Sequence, residues 1–279
     1  MAPAEQIPFD PEPRGPDGPD AVDRSHVQVL HKAVELLAAL SESPAGLPLA
    51  ELAREVGMNR STVSRILATL AEQKLVMRDD HRRYRLGLRL FELGSSVKEH
   101  HLAFHGAATA HLRRIAESYG LTAFLAIRDR DRALFVEQAV YGDRQYVAYP
   151  VGSSLPLNVG AAPQVLLAHA SDEDVDRLVR TATDRLTAMS VTDPDRLWAK
   201  VRAIRHSGIA TSDSDITLGL GAIGAPVRNV RGTVIAAVSL AGLAPRLFGP
   251  EQQQITAAVR EMATAVSQEL GWQGEQGTS

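Results

Sequence analysis

The chain predicts an α+β protein built in two folded parts. Apolar residues recur at helical spacing through residues 25–72, which marks a small helical unit. Further on, β-rich apolar runs at 121–157 and 208–241 are flanked by helical patterns, which marks a larger mixed unit. With 279 residues, 44% of them apolar, there is enough chain for a core in each.

Composition closes off several classes. No apolar run approaches the ~18 residues of a membrane span. No basic segment followed by an apolar one opens the chain, so no export signal is expected. The absence of cysteine excludes disulfides, thiolate zinc sites and cysteine nucleophiles, and it fits a reducing cytoplasm. The net charge of −3 is unevenly spread: residues 1–23 carry −5, residues 24–92 carry +3, and residues 93–279 carry −1. The positive excess falls on the helical unit, as phosphate binding requires, although many solvated domains carry as much.

Residues 1–23 hold six of the 15 prolines with acids interleaved, and are expected to form a disordered acidic tail. Val27, Leu30, Ala33, Val34, Leu37 and Leu40 then predict a helix over about 25–40, ended by Pro44 and Gly46. Leu49, Leu52, Ala53 and Val56 give a second helix, stopped at Gly57. A third starts at Asn59, a good N-cap type, with Val63, Ile66, Leu67 and Leu70 on one face. Its other face shows Arg60, Ser61, Thr62, Ser64 and Arg65, with no acid before Glu72. Hydroxyls hold phosphates and arginine reads guanine edges, so a helix-turn-helix with 60–71 as recognition helix is expected. A purely structural helix pair fits the same residues. After it come a short strand at Leu75–Met77, a turn at Asp79-Asp80 and an alternating basic strand, His81–Leu86. That hairpin reads as a wing, with Arg82, Arg83 and Arg85 placed for backbone contacts.

Leu86 to about Tyr119 is expected to be helical, broken near Gly106, and to serve as a linker. It contains His100, His101, His105 and His111; the 101/105 spacing can ligate zinc, but no third ligand is apparent and solvated or interfacial histidines are expected. Strands follow at Leu121–Ile127, Ala133–Val140 and Gln145–Tyr149, then a buried helix, Gly160–His169, whose Pro163 falls in the tolerated first turn. Helices at 172–181 and 194–206 precede strands at 222–228 and 233–241, joined by an Asn229–Gly232 turn. A closing helix after Pro250 has Ile255, Ala258, Val259, Met262 and Val266 as its inner face.

An enzyme finds little support. Gly219, Gly221 and Gly224 match G-x-G-x-x-G, but Pro226 and a β run follow where a dinucleotide fingerprint needs a helix. There is no nucleophile elbow, phosphate-binding loop or defensible carboxylate pair.

The run LAELAREVGMNRSTVSRILATLAEQKLV with YRLGLRLFELGSS after it, and SGIATSDSDITLGLGAIGAPV with GTVIAAVSLAG in the second half, resembles the IclR family of bacterial transcriptional regulators over about residues 25–272. The resemblance implies a winged helix-turn-helix domain at 24–86, a linker helix at 87–105, a GAF-like effector-binding domain at 106–272 and a disordered tail at 273–279. It implies a homodimer or homotetramer on double-stranded operator DNA, repressing or activating neighbouring genes in response to a small organic or aromatic acid. No catalysis, cofactor, metal or membrane is implied; a GAF-like small-molecule enzyme is the alternative from another class. The family's effector positions fall on Gly160, Ala161, Ser212, Asp213, Ala222, Ser239 and Ala241; the same residues could serve only for packing. Gly160 and Ala161 open a helix whose free N–H groups can hold a carboxylate. There are departures: NVGAAPQVLLA stands where many relatives have HATAAGKALLA, the family's acid at 212 is serine, and 222 and 241 are alanine. Loss of polar groups favours a larger or less polar ligand.

Overall fold

The computed structural model describes residues 24–101, 105–141, 149–181 and 183–274, and these divide after Glu99 into two compact units. The expectations for residues 1–23, for the strand at 145–148 and for the last five residues lie outside them.

The first unit begins with α1 (Arg24–Glu42), β1 (Leu47–Pro48) and α2 (Leu49–Glu55), followed by α3 (Arg60–Glu72). Gly57 takes φ +63° at the turn between α2 and α3, the left-handed geometry that suits glycine. Asn59 caps α3, its Oδ1 accepting the Thr62 N–H at 2.8 Å. Val63, Ile66, Leu67 and Leu70 are buried against Leu36, Leu40 and Leu52. Each fully buried side chain of this size contributes about 1.5–3 kcal/mol. Then β2 (Val76–Arg78) and β3 (Arg83–Leu86) pair antiparallel, and β1 joins the other edge of β3.

Here the strand after the turn starts later than alternation predicted. Asp79 Oδ1 accepts the N–H groups of His81 at 3.0 Å and Arg83 at 2.9 Å, and Arg82 takes φ +62°. His81 and Arg82 therefore belong to the turn. The helical stretch that follows is divided near Gly106, as expected, into α4 (Arg89–His101) and α5 (His105–Tyr119).

Among the described residues the second unit is built on a six-stranded, fully antiparallel sheet in the order β6-β5-β4-β9-β8-β7. Its strands are β4 (Thr122–Asp129), β5 (Arg132–Ala139), β6 (Ser154–Pro156), β7 (Ala210–Asp213), β8 (Leu220–Arg228) and β9 (Val234–Leu243). The strand β6, paired with β5, is one that the sequence pattern did not reveal. Alternation sends the two faces of the sheet into two cores. Ala123, Leu125, Ile223, Val238 and Leu240 meet α5 and α10 (Gln252–Glu269). Phe124, Phe135, Ala222 and Ala241 meet α6 (Ala161–Ala168) and a cluster with α7 (Asp172–Thr181) and α8 (Pro194–Ser207). The short α9 (Ala244–Leu247) joins β9 to α10. The α10 face is Ile255, Val259, Met262, Ala263 and Val266, with Ala258 only partly buried. Gly224 is required where it stands: a Cβ there would lie 3.0 Å from the Ala161 carbonyl carbon and 3.1 Å from the Ala162 nitrogen. Its bareness lets the start of α6 rest on β8, which places the helix end at the cavity described next.

Candidate functional site

Each unit carries one candidate site. On α3, packing of the apolar stripe leaves Arg60, Ser61, Ser64 and Arg65 exposed and Thr62 half-buried. Ser61 donates from Oγ to Asn59 Oδ1 at 2.9 Å, so this hydroxyl is part of the cap. Among the described residues Arg60 and Arg65 form no ion pair, so both guanidinium groups keep their donors for a partner.

The wing arginines differ from one another. Arg82 and Arg83 form no ion pair among the described residues, but Arg85 Nη2 lies 3.2 Å from Asp79 Oδ2. The Asp79 carboxyl sits below its usual pKa, first through the Arg83 N–H bond and also through the charge of Arg85. Arg85 thus closes the hairpin on itself. Arg78 is committed too, with its guanidinium 5.4 Å from the centroid of the Tyr84 ring.

In the second unit a cavity opens between the sheet and the start of α6. Phe124 and Phe135 form one wall, with ring centroids 5.2 Å apart, and Tyr149 stacks on Phe135 at 5.8 Å. Leu155, Ile216 and Leu220 add aliphatic surface. The enclosed space gives about 40 Å³ to the centre of a water-sized sphere, and about 460 Å³ of atom-free room once the open mouth is counted.

Of the seven positions predicted for effector contact, six line this cavity: Gly160, Ala161, Ser212, Ala222, Ser239 and Ala241. Asp213 does not. It follows Ser212 in β7, so its side chain takes the opposite face and is exposed. The acid near the cavity is Asp215, which is only 3% exposed. After β7 ends, Ser214 takes φ +57° and turns the chain so that Asp215 points inward. Its carboxylate accepts the Gly160 N–H at 3.3 Å from each oxygen, Gln164 Nε2 at 2.8 Å and the Ser212 hydroxyl. The Gly160 N–H expected to be free for a ligand is therefore already engaged by this carboxylate. The side-chain hydroxyl of Ser239, a residue also 3% exposed, makes no hydrogen bond among the described residues. Burial raises the Tyr149 phenol above its usual pKa; a hydrogen bond with Thr217 opposes this and the Asp215 charge adds to it. Burial also lowers the half-buried Lys200, with Asp215 pulling the other way.

Sequence reasoning missed Phe124, Phe135, Tyr149 and Asp215. Phe124 and Phe135 carried a signal, since each falls on an inward position of a predicted strand. His111 Nε2 lies 2.7 Å from Glu269 Oε1, joining α5 to α10, and no metal-competent cluster occurs among the described residues. Gly219 sits in a turn and Gly221 and Gly224 in β8, so the glycine pattern serves the sheet. No helix among the described residues is long and apolar enough to cross a membrane.

A winged helix-turn-helix joined to an α+β unit with a lined cavity defines a DNA-binding transcriptional regulator. Comparison with known proteins gives the family. Residues 29–80 match the IclR helix-turn-helix domain, and residues 96–268 match the bacterial transcriptional regulator IclR C-terminal domain. The chain is 35% identical to the HTH-type transcriptional regulator Rv1719 of Mycobacterium tuberculosis, over 81% of this chain and 86% of that protein. It is 31% identical to the HTH-type transcriptional regulator BhcR of Paracoccus denitrificans, over 91% and 92% of the two chains. Among solved structures, an IclR regulator from Alicyclobacillus acidocaldarius aligns with a TM-score of 0.74 at 28% identity, covering 86% of this chain and 98% of that one. The fold also matches an IclR homologue from Microbacterium hydrocarbonoxydans complexed with 4-hydroxybenzoate, with a TM-score of 0.77 at 23% identity over 87% and 98% of the chains. The chain belongs to the IclR family of bacterial transcriptional regulators. It is a regulator and not an enzyme, as its named relatives are.

Proposed function

We propose that the chain is a repressor acting in the cytoplasm on double-stranded operator DNA, and that a small organic ligand in the second unit modulates its grip. The observation that carries the DNA part is the exposed face of α3, with its hydroxyls and two uncommitted arginines. In this reading residues 24–86 bind DNA, 87–105 link, and 106–272 hold the ligand. Ser61, Thr62, Ser64, Arg60 and Arg65 face bases and phosphates in the major groove, and Arg82 and Arg83 add backbone contacts. Arg85 acts there by holding the wing in shape. A homodimer, or each dimer of a homotetramer, presents two such helices to a near-palindromic site.

Support for the ligand part comes from the cavity: six of the expected effector positions lie around one aromatic-walled space. The aromatic side of the expected ligand fits Phe124, Phe135 and Tyr149. Ligand binding shifts the balance between assemblies with different helix spacing, and does so only through its differential affinity for them. Mobility shift with a duplex obtained by in vitro selection, with and without a panel of aromatic compounds, tests both halves. Arg65→Ala should weaken binding and blur sequence preference; an unchanged footprint would refute the docking. Release of the duplex by a panel member supports repression, whereas tightening would favour an activator.

A further inference from the structure

The geometry points to an uncharged aromatic ligand, with the cavity discriminating against carboxylates because the buried Asp215 carboxylate already stands beside the start of α6 and takes the N–H of its N-cap, Gly160. This rests on the cavity being the ligand site. The reasoning begins with the polar groups at its wall. The Gly160 N–H and the Ser212 hydroxyl both donate to the Asp215 carboxylate, with Gln164 as a third donor. A buried carboxylate with three donors is satisfied, and it leaves its donors with little to offer a second anion.

The helix end does not restore the balance. An α-helix N-terminus carries about half a unit of positive charge, and one carboxylate more than cancels it. Pro163 removes a further donor from the first turn of α6. No lysine, arginine or histidine lines the cavity among the described residues. Lys200, the cation that feels Asp215, lies outside the lining; burial lowers its pKa and Asp215 raises it. A resident group already experiences the resulting field: Tyr149, at the cavity wall, is held in its neutral phenol form by burial, with Asp215 adding to the effect.

What the wall does offer is neutral. Phe124, Phe135 and Tyr149 give a flat ring its stacking and edge contacts. The buried Ser239 hydroxyl, without a partner of its own among the described residues, faces the same space and can exchange one hydrogen bond with a hydroxyl, amide or carbonyl.

The test is a set of matched pairs differing only in charge: benzamide against benzoate, and 4-hydroxybenzamide against 4-hydroxybenzoate. Titration calorimetry on the full-length protein at neutral pH should give the amides an advantage of about tenfold or more, the scale of like-charge repulsion at close range in a partly screened interior. Asp215→Asn, shown folded by circular dichroism, should shrink that advantage to about threefold or less. Carboxylates that bind the wild type as tightly as the amides overturn the inference while leaving the cavity as the ligand site. A folded Asp215→Asn that keeps the full advantage also overturns it. Silence of all four compounds would count against the cavity as an aromatic site, and so against the reading beneath. If Asp215→Asn does not fold, the wild-type order alone decides.

Discussion

Arg83→Ala and Arg85→Ala should separate two arginines that look equivalent in sequence. Both lie on β3, two residues apart and therefore on the same face. Arg85 is held by Asp79 at 3.2 Å, whereas Arg83 has no ion-pair partner among the described residues. Each phosphate neutralised on duplex DNA steepens the dependence of log K on log salt by about 0.9. In the proposed dimer Arg83→Ala removes two contacts, so the slope should become shallower by about 1.8. Between 50 and 200 mM salt that is about a tenfold smaller loss of affinity than wild type shows. Arg85→Ala should leave the slope within error of wild type and instead lower the melting temperature, because Asp79 loses its partner. Fluorescence anisotropy of a labelled duplex across a salt series measures the slopes, and scanning fluorimetry the melting. Equal slope changes for the two variants, or none for Arg83→Ala, would refute the distinction between a DNA-facing and a hairpin-closing arginine.

Asn59→Ala should cost about 0.5–2 kcal/mol of stability in urea unfolding, because the first turn of α3 loses the acceptor for the Thr62 N–H. Ala241→Leu, which places a larger side chain in the cavity, should abolish the response to aromatic compounds in a mobility-shift assay while leaving operator affinity intact. One of the five tyrosines, Tyr149, should titrate above the usual value of 10.0 in ultraviolet absorbance. Because the unfolded chain ionises this phenol first, its contribution to stability is complete below pH 10.0 and is lost as pH rises further. The opposite window applies at Asp79: its carboxyl is held below 3.8, so the wing turn keeps that support above this pH and loses it as pH falls through the folded value, read as faster amide exchange at His81 and Arg83.

Helix α3 was legible because two independent signals coincided there: an apolar stripe at Val63, Ile66, Leu67 and Leu70, and an N-cap at Asn59. Four of the strands around the cavity were readable as β-rich apolar runs between turn signals, but runs apolar on both faces do not say which residues look into it. The position at Asp213 came from the family resemblance, and here β7 stops at Asp213, whose side chain is exposed, while the left-handed Ser214 brings the next acid, Asp215, inward. Alternation failed at β3, where it was carried past the end of the strand and the Asp79 side chain substitutes for ladder partners at His81 and Arg83. No local pattern could have announced the short β6, whose three residues are recognisable only by their pairing with β5. The carboxylate that selects against charge was hidden for the related reason that its three donors come from positions 160, 164 and 212.

The small lumen has a consequence of its own. The inner part, about 40 Å³ to the centres of water-sized spheres, is a small share of the roughly 460 Å³ counted with the open mouth, so a bound ring extends into the mouth and presses on its lip. Ile216 is the side chain most exposed to that demand: it is half-buried, it lies outside the regular strands, and its Cδ1 is 2.9 Å from where a Cβ on Gly160 would stand. The affinity for a guest therefore includes the cost of moving this side chain aside. Sensitivity can then be retuned by changes at Leu218 and Gly219, which belong to the same segment but do not line the cavity.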